Sequence, residues 1–175
     1  LYATPTPDPQ TKLINAALAN VSGNFDLHDF EGRCSSIHEQ PDINVSNSHE
    51  ITAVTLDQVF ADEIDGEVDL LKMDIEGEEV PILESVSSQT LLRCRQISIE
   101  FHFRLFPDHA MRFNNIKLKL ESLGFVGLNF SSQDGTDVLF LRKDLFSNRT
   151  ALHLRLLGHK YSLGFGRILS RISGL

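Results

Sequence analysis

Apolar residues recur along this chain with two alternating periods, one of two residues and one of roughly 3.6, the signatures of strand and helix. Residues 1–11 fit neither. Pro5, Pro7 and Pro9 exclude regular helix and central strand there, which leaves a loop. The compact apolar run over residues 12–19, KLINAALA, predicts a buried strand. Ser22, Gly23 and Asn24 give a turn signal, after which Phe25, Leu27 and Phe30 share one side of a half-buried strand over 24–30. Residues 32–47 are polar and hold Pro41, which predicts a loop. Ile51, Ala53 and Thr55 share a face of a short strand over 49–55, and Thr55 then caps a short helix over 56–61.

Val68, Leu70 and Leu71 form a short apolar run that stops at Lys72, Met73 and Asp74, the pattern of a buried strand in a parallel sheet. A helix follows over 78–88. Pro81 falls in its first turn, where a missing N–H costs nothing, and Glu76, Glu78 and Glu79 favour its positive end. In the strand over 95–103, RQISIEFHF, Ile97, Ile99 and Phe101 take one face while Ser98, Glu100 and His102 take the other. Phe113, Ile116, Leu120 and Leu123 mark a helix over 109–123, which Gly124 stops. Two strands, over 125–130 and 138–142, flank the turn-like Gln133, Asp134 and Gly135. The succession is that of an α/β fold ending in an antiparallel hairpin. The tail over 147–175 mixes Leu152, Leu156, Phe165 and Ile168 with Arg155, Lys160, Arg167 and Arg171. Gly158, Gly164 and Gly166 break any long stripe, so the tail reads as a segment packed on the domain over residues 12–146, in preference to a basic amphipathic membrane-surface element.

Composition narrows the function. The chain has 175 residues, enough for one domain with a substantial core, and a net charge of −8. That charge argues against nucleic acid as a partner, since such binding needs basic surface. Cys34 and Cys94 make neither a disulfide framework nor a zinc spacing, and they read as buried thiols of a reducing compartment. A cytoplasmic location is the expectation. The N-x-S/T triplets at Asn20, Asn44, Asn129 and Asn148 keep a lumenal one open. No stretch is long and apolar enough to cross a membrane.

The turn after the Val68 strand lies at the carboxyl edge of the sheet, where open α/β sheets bind ligands. Asp74, Glu76 and Glu79 gather there within six residues. A carboxylate such as Asp74 at the inner end of a buried strand needs a partner, which makes it a candidate site residue. Glu79 reads more simply as a helix cap. His102, near the end of its strand, is a candidate base, with a hydrogen-bonded structural histidine as the equal alternative; Glu100 shares its face. A metal-dependent hydrolase built on Asp74, Glu76 and His102 lacks further ligands nearby, so no metal is expected. Phosphate-cradling glycine loops and the G-x-S-x-G elbow are absent.

Four blocks together resemble a known family: Val54-Thr55-Leu56-Asp57, Val68 to Gly77 (VDLLKMDIEG), Ile99-Glu100-Phe101-His102, and Asp137-Val138-Leu139-Phe140. Their order and spacing are similar to those of the FkbM-type S-adenosylmethionine-dependent methyltransferases, over residues 13–143. The resemblance implies a Rossmann-like, mostly parallel class I methyltransferase sheet with a C-terminal antiparallel hairpin. It implies O-methylation of a small-molecule or glycan acceptor, such as a sugar, glycolipid or polyketide-like hydroxyl, with S-adenosylmethionine as cofactor. Asp74 matches the carboxylate near the cofactor's methionine part and the reacting hydroxyl. Glu76 and Gly77 match the family turn, and Asn15, Ala16 and Ala17 match a strand end passing near the adenine. The family's first strand with its glycine-rich loop, and its second strand, have no counterpart. The expectation is an N-terminally truncated domain that binds cofactor poorly, and a non-catalytic binding module is the alternative.

Overall fold

A computed structural model describes residues 11–30, 34–36, 45–103, 106–130 and 136–145 of the chain. Among the described residues, eight strands fall into two four-stranded sheets. The first holds β1 (Ala17–Leu18), β2 (Gly23–Phe30), β3 (Cys34–Ser36) and β4 (Val45–Val54), in the order β1-β4-β2-β3. The second holds β5 (Leu71–Met73), β6 (Gln96–Glu100), β7 (Phe125–Asn129) and β8 (Asp137–Arg142), in the order β5-β6-β8-β7. Four α-helices of the described residues accompany them: α1 (Leu56–Asp62), α2 (Glu79–Ser85), α3 (Ser88–Leu92) and α4 (Pro107–Ser122).

The α/β expectation holds, but the sheets are mixed where a mostly parallel one was expected. Of the described strand pairs, β1·β4 and β5·β6 are parallel, with a further parallel bridge between Val68 and Cys94; β2·β3, β2·β4, β6·β8 and β7·β8 are antiparallel. The cause is local. The polar segment expected as a loop over 32–47 contributes β3 and the start of β4, which extend the β2 hairpin. The final hairpin inserts β8 between β6 and β7. The first strand is also shorter than its apolar run: Lys12 to Asn15 lie ahead of it, exposed. Leu13 and Ile14 have no core to face, and the Lys12 ammonium instead pairs with Glu63.

The core lies around the second sheet. Met73, Ile97, Ile99 and Phe140 of the strands pack with Phe60 of α1, Ile82 and Leu83 of α2, Leu91 of α3, and Ile116 and Leu120 of α4. The alternation read in the β6 segment is real: Ile97, Ile99 and Phe101 are buried while Glu100 is exposed. Thr55 caps α1 in a reciprocal capping box. Its hydroxyl accepts from the Gln58 N–H at 3.2 Å, and its own N–H donates to Gln58 Oε1 at 2.9 Å. The single helix expected over 78–88 is two. Val86 leaves helical geometry with ψ of 140°, and Ser87 caps a second helix through Thr90 N–H at 3.1 Å. The N-terminal loop over 1–10 and the tail over 147–175 lie outside the described residues.

Candidate functional site

β5 and β6 run parallel, so the residues after each strand emerge on the same edge. From β5 come Asp74, Ile75, Glu76 and Gly77; from β6 come Phe101 and His102, just beyond Glu100. Ligand-type atoms of Asp74, Glu100 and His102 lie within 4.8 Å of one another. These were the three residues proposed from sequence for chemistry, and two strands distant in the chain deliver them to one place. Glu76 joins them, with Oε2 3.4 Å from His102 Nε2. Asp74 is exposed and pairs with Lys72 at 2.8 Å. The buried position foreseen for it is therefore incorrect: its strand end is solvent-facing, and a surface lysine supplies the partner.

The backbone of this turn is unusual. Glu76 has φ of 51° and Gly77 φ of 113°, two successive left-handed residues. Gly77 is needed for a second reason: a Cβ there would stand 2.0 Å from Phe106 Cε2. Gly77 thus closes the turn against the start of α4 and lets α2 begin at Glu79.

Glu79 holds the turn together. Its side chain is wholly buried. Oε1 accepts the Ile75 N–H at 3.0 Å and Oε2 accepts the Gly77 N–H at 3.1 Å. Oε1 also lies 2.8 Å from His102 Nδ1. The plain helix-cap reading of Glu79 is insufficient: its carboxylate reaches back into the turn and across to another strand. The sequence signal was an acid in the first turn of a helix whose neighbours Val80, Ile82 and Leu83 are core. The partner His102, 23 residues on, was not visible locally. The Glu79 hydrogen bond raises the His102 pKa above its ordinary 6.5; burial opposes this, and the charges of Glu79, Glu76 and Glu100 add to it.

Asn15 and Ala16 lie just ahead of β1, a strand of the other sheet. β1 begins at Ala17, so they enter a strand where they were expected to end one. Asn15 is exposed and Ala16 half-buried. Asp57, in the Val54-Thr55-Leu56-Asp57 block, turns out to bind structure: its carboxylate accepts from the Ser87 N–H at 3.1 Å, the Ser87 hydroxyl at 2.9 Å and the Thr90 hydroxyl. A cavity of about 150 Å³ between α4 and the β7–β8 hairpin, lined by Phe113, Lys117, Gly127, Asn129, Val138 and Phe140, includes none of the candidate residues.

Three carboxylates and an imidazole at the carboxyl edge of a parallel strand pair, on an α/β scaffold, suit a small cationic ligand and proton transfer from a hydroxyl. The family model for the methyltransferase FkbM domain matches residues 6–126, more than half of the chain. The chain belongs to the FkbM methyltransferase family. That match takes in β1 to α4 and ends in β7, so the Asp137–Phe140 block lies beyond it. No curated protein and no solved structure matches the chain. No helix among the described residues is long and apolar enough to cross a membrane.

Proposed function

We propose that this domain belongs to an S-adenosylmethionine-dependent O-methyltransferase of Rossmann-like architecture, acting on a hydroxyl of a sugar, glycolipid or polyketide-like acceptor. The observation that carries the reading is the convergence of Asp74, Glu76, Glu100 and His102 at one sheet edge in a chain of the FkbM methyltransferase family. The donor set fits the cofactor. Its sulfonium and ammonium are cations, and the carboxylates at this edge supply opposite charge with no phosphate-binding loop required. When bound, the cofactor supplies an electrophilic methyl group.

The chain's own residues have three tasks. Asp74, Glu76 and the turn at Gly77 hold the cationic end of the cofactor, and Asn15 with Ala16 contributes to its far end. Glu100 and Asp74 orient the acceptor. His102 Nε2, beside Glu76, would take the proton of the acceptor hydroxyl as that oxygen receives the methyl group. The test uses the full natural protein. Calorimetry with S-adenosylmethionine should show binding, and Asp74→Ala should abolish methyl transfer to a hydroxylated acceptor while leaving the circular dichroism spectrum unchanged. Undiminished turnover in that variant would remove Asp74 from the site. Absence of cofactor binding by the intact protein would favour a binding module.

A further inference from the structure

We infer that Glu79 is a positioning residue for the reaction, fixing the tautomer of His102 and the shape of the acidic turn with one buried carboxylate. This rests on the proposal that His102 is the general base. Both Glu79 oxygens already accept a backbone N–H, from Ile75 and from Gly77. The group is therefore an acceptor toward His102 as well, and the ring hydrogen sits on Nδ1. That leaves Nε2 with its lone pair free of Glu79, beside Glu76 at 3.4 Å, and a ring nitrogen of His102 lies within 4.8 Å of carboxylate oxygens of Asp74 and Glu100. A carboxylate behind an imidazole selects the basic nitrogen and stabilises the imidazolium that forms when the proton arrives. The same oxygens tie down the two N–H groups that bracket Glu76, so the cation-binding turn and the base are set by one side chain. A buried carboxylate without such duties would be costly to keep.

The groups that face His102 are Glu79 from α2, Asp74 and Glu76 from the turn after β5, and Glu100 from β6. Glu79→Gln removes the charge and replaces one acceptor oxygen by a donor amide, which one of the two backbone N–H groups must then face. It should lower the His102 pKa, because the charge of Glu79 is gone and its hydrogen bond, the largest raising influence, is weakened, while Glu76 and Glu100 remain. The acid limb of the kcat profile should then move to lower pH, and the plateau should fall by about tenfold or more, a part of what a positioned base contributes. A side chain that merely packed would lower activity without moving the limb.

The ¹⁵N spectrum of the wild-type histidines is the independent reading. Above its titration His102 should carry its proton on Nδ1, and this holds whether or not methyl transfer is found. If the wild-type protein transfers no methyl group but shows this tautomer, the function reading fails while the hold of Glu79 on the His102 tautomer stands. If the proton is on Nε2, or if Glu79→Gln leaves the His102 titration unchanged, the inference is overturned. Should Glu79→Gln not fold, the wild-type tautomer still decides.

Discussion

At Gly77 a single missing carbon shapes the site. Gly77→Ala demands φ of 113° from an L side chain and drives its Cβ to 2.0 Å from the Phe106 ring. We expect a loss of at least ~2 kcal/mol, read as a lower urea midpoint. Gly77→Ala combined with Phe106→Ala should not restore the midpoint, because the backbone strain remains. His102 gives a second expectation at this scale. Its folded pKa lies above the ordinary 6.5, so its protonation stabilises the native state fully below that value, and the stabilisation is lost as pH rises through the folded pKa. The stability gap between wild type and His102→Gln should be widest at acid pH and narrow on the alkaline side. A gap that widens with pH would contradict the Glu79 contact. Sequence reading singled out Asp74, Glu76, Glu100 and His102 because they stand at or just beyond strand ends, which a chain shows directly, and the structure brings them together. It undervalued Glu79, whose partner is reached only once β6 lies beside β5.

Elements depend on a few polar ties that sequence displays only in part. Thr55 was legible as a cap because its Gln58 partner is three residues away. Asp57 was not, because it caps a helix some thirty residues on, through Ser87 and Thr90. The break between α2 and α3 was missed for the same reason: Ser87 and Asp57 make it together. Burial works to raise the Asp57 pKa, but hydrogen bonds from Thr90 and Ser87 and the charge of Lys119 outweigh it and hold it below the ordinary 3.8. Asp57→Asn should therefore cost roughly 1–3 kcal/mol at neutral pH. Its deficit should shrink as pH falls through the folded pKa, where the wild-type carboxylate also takes up a proton. Lys119 does the corresponding work on the C-terminal end of α2, on the near side of the same break. Its ammonium donates to the carbonyls of Leu83, Glu84 and Val86 at 2.9, 3.1 and 2.7 Å. Lys119→Met keeps the stem and removes the donors, and should cost about 1–3 kcal/mol through three unmet helix-end carbonyls, read as a lower denaturation midpoint.

The two sheets differ in what supports them. The buried core draws on α1 to α4 and β5 to β8, and of the described residues in β1 to β4 only Leu18 packs against it. Ala19 and Ala53 are buried beside β1, yet small. The β2–β4 ladder is long in hydrogen bonds and poor in apolar contacts, and its exposed face carries pairs such as Asn24 with Glu50 at 3.2 Å. Such a unit opens at lower free energy than the core. Native-state hydrogen exchange should therefore show the β2 and β4 amides opening well before those of Ile97, Ile99 and Phe140; coincident opening would mean one cooperative unit. The same measurement tests how far the cofactor site extends. S-adenosylmethionine at a hundred times its Kd should add about 2.7 kcal/mol to the opening of whatever binds it. A site confined to the β5–β6 edge raises protection in the core sheet alone. If Asn15 and Ala16 contribute, as proposed, protection must also rise at Ala17–Leu18 and at their parallel partners Ala53–Val54. Unchanged exchange there would take Asn15 and Ala16 out of the site and leave the cofactor to the acidic turn.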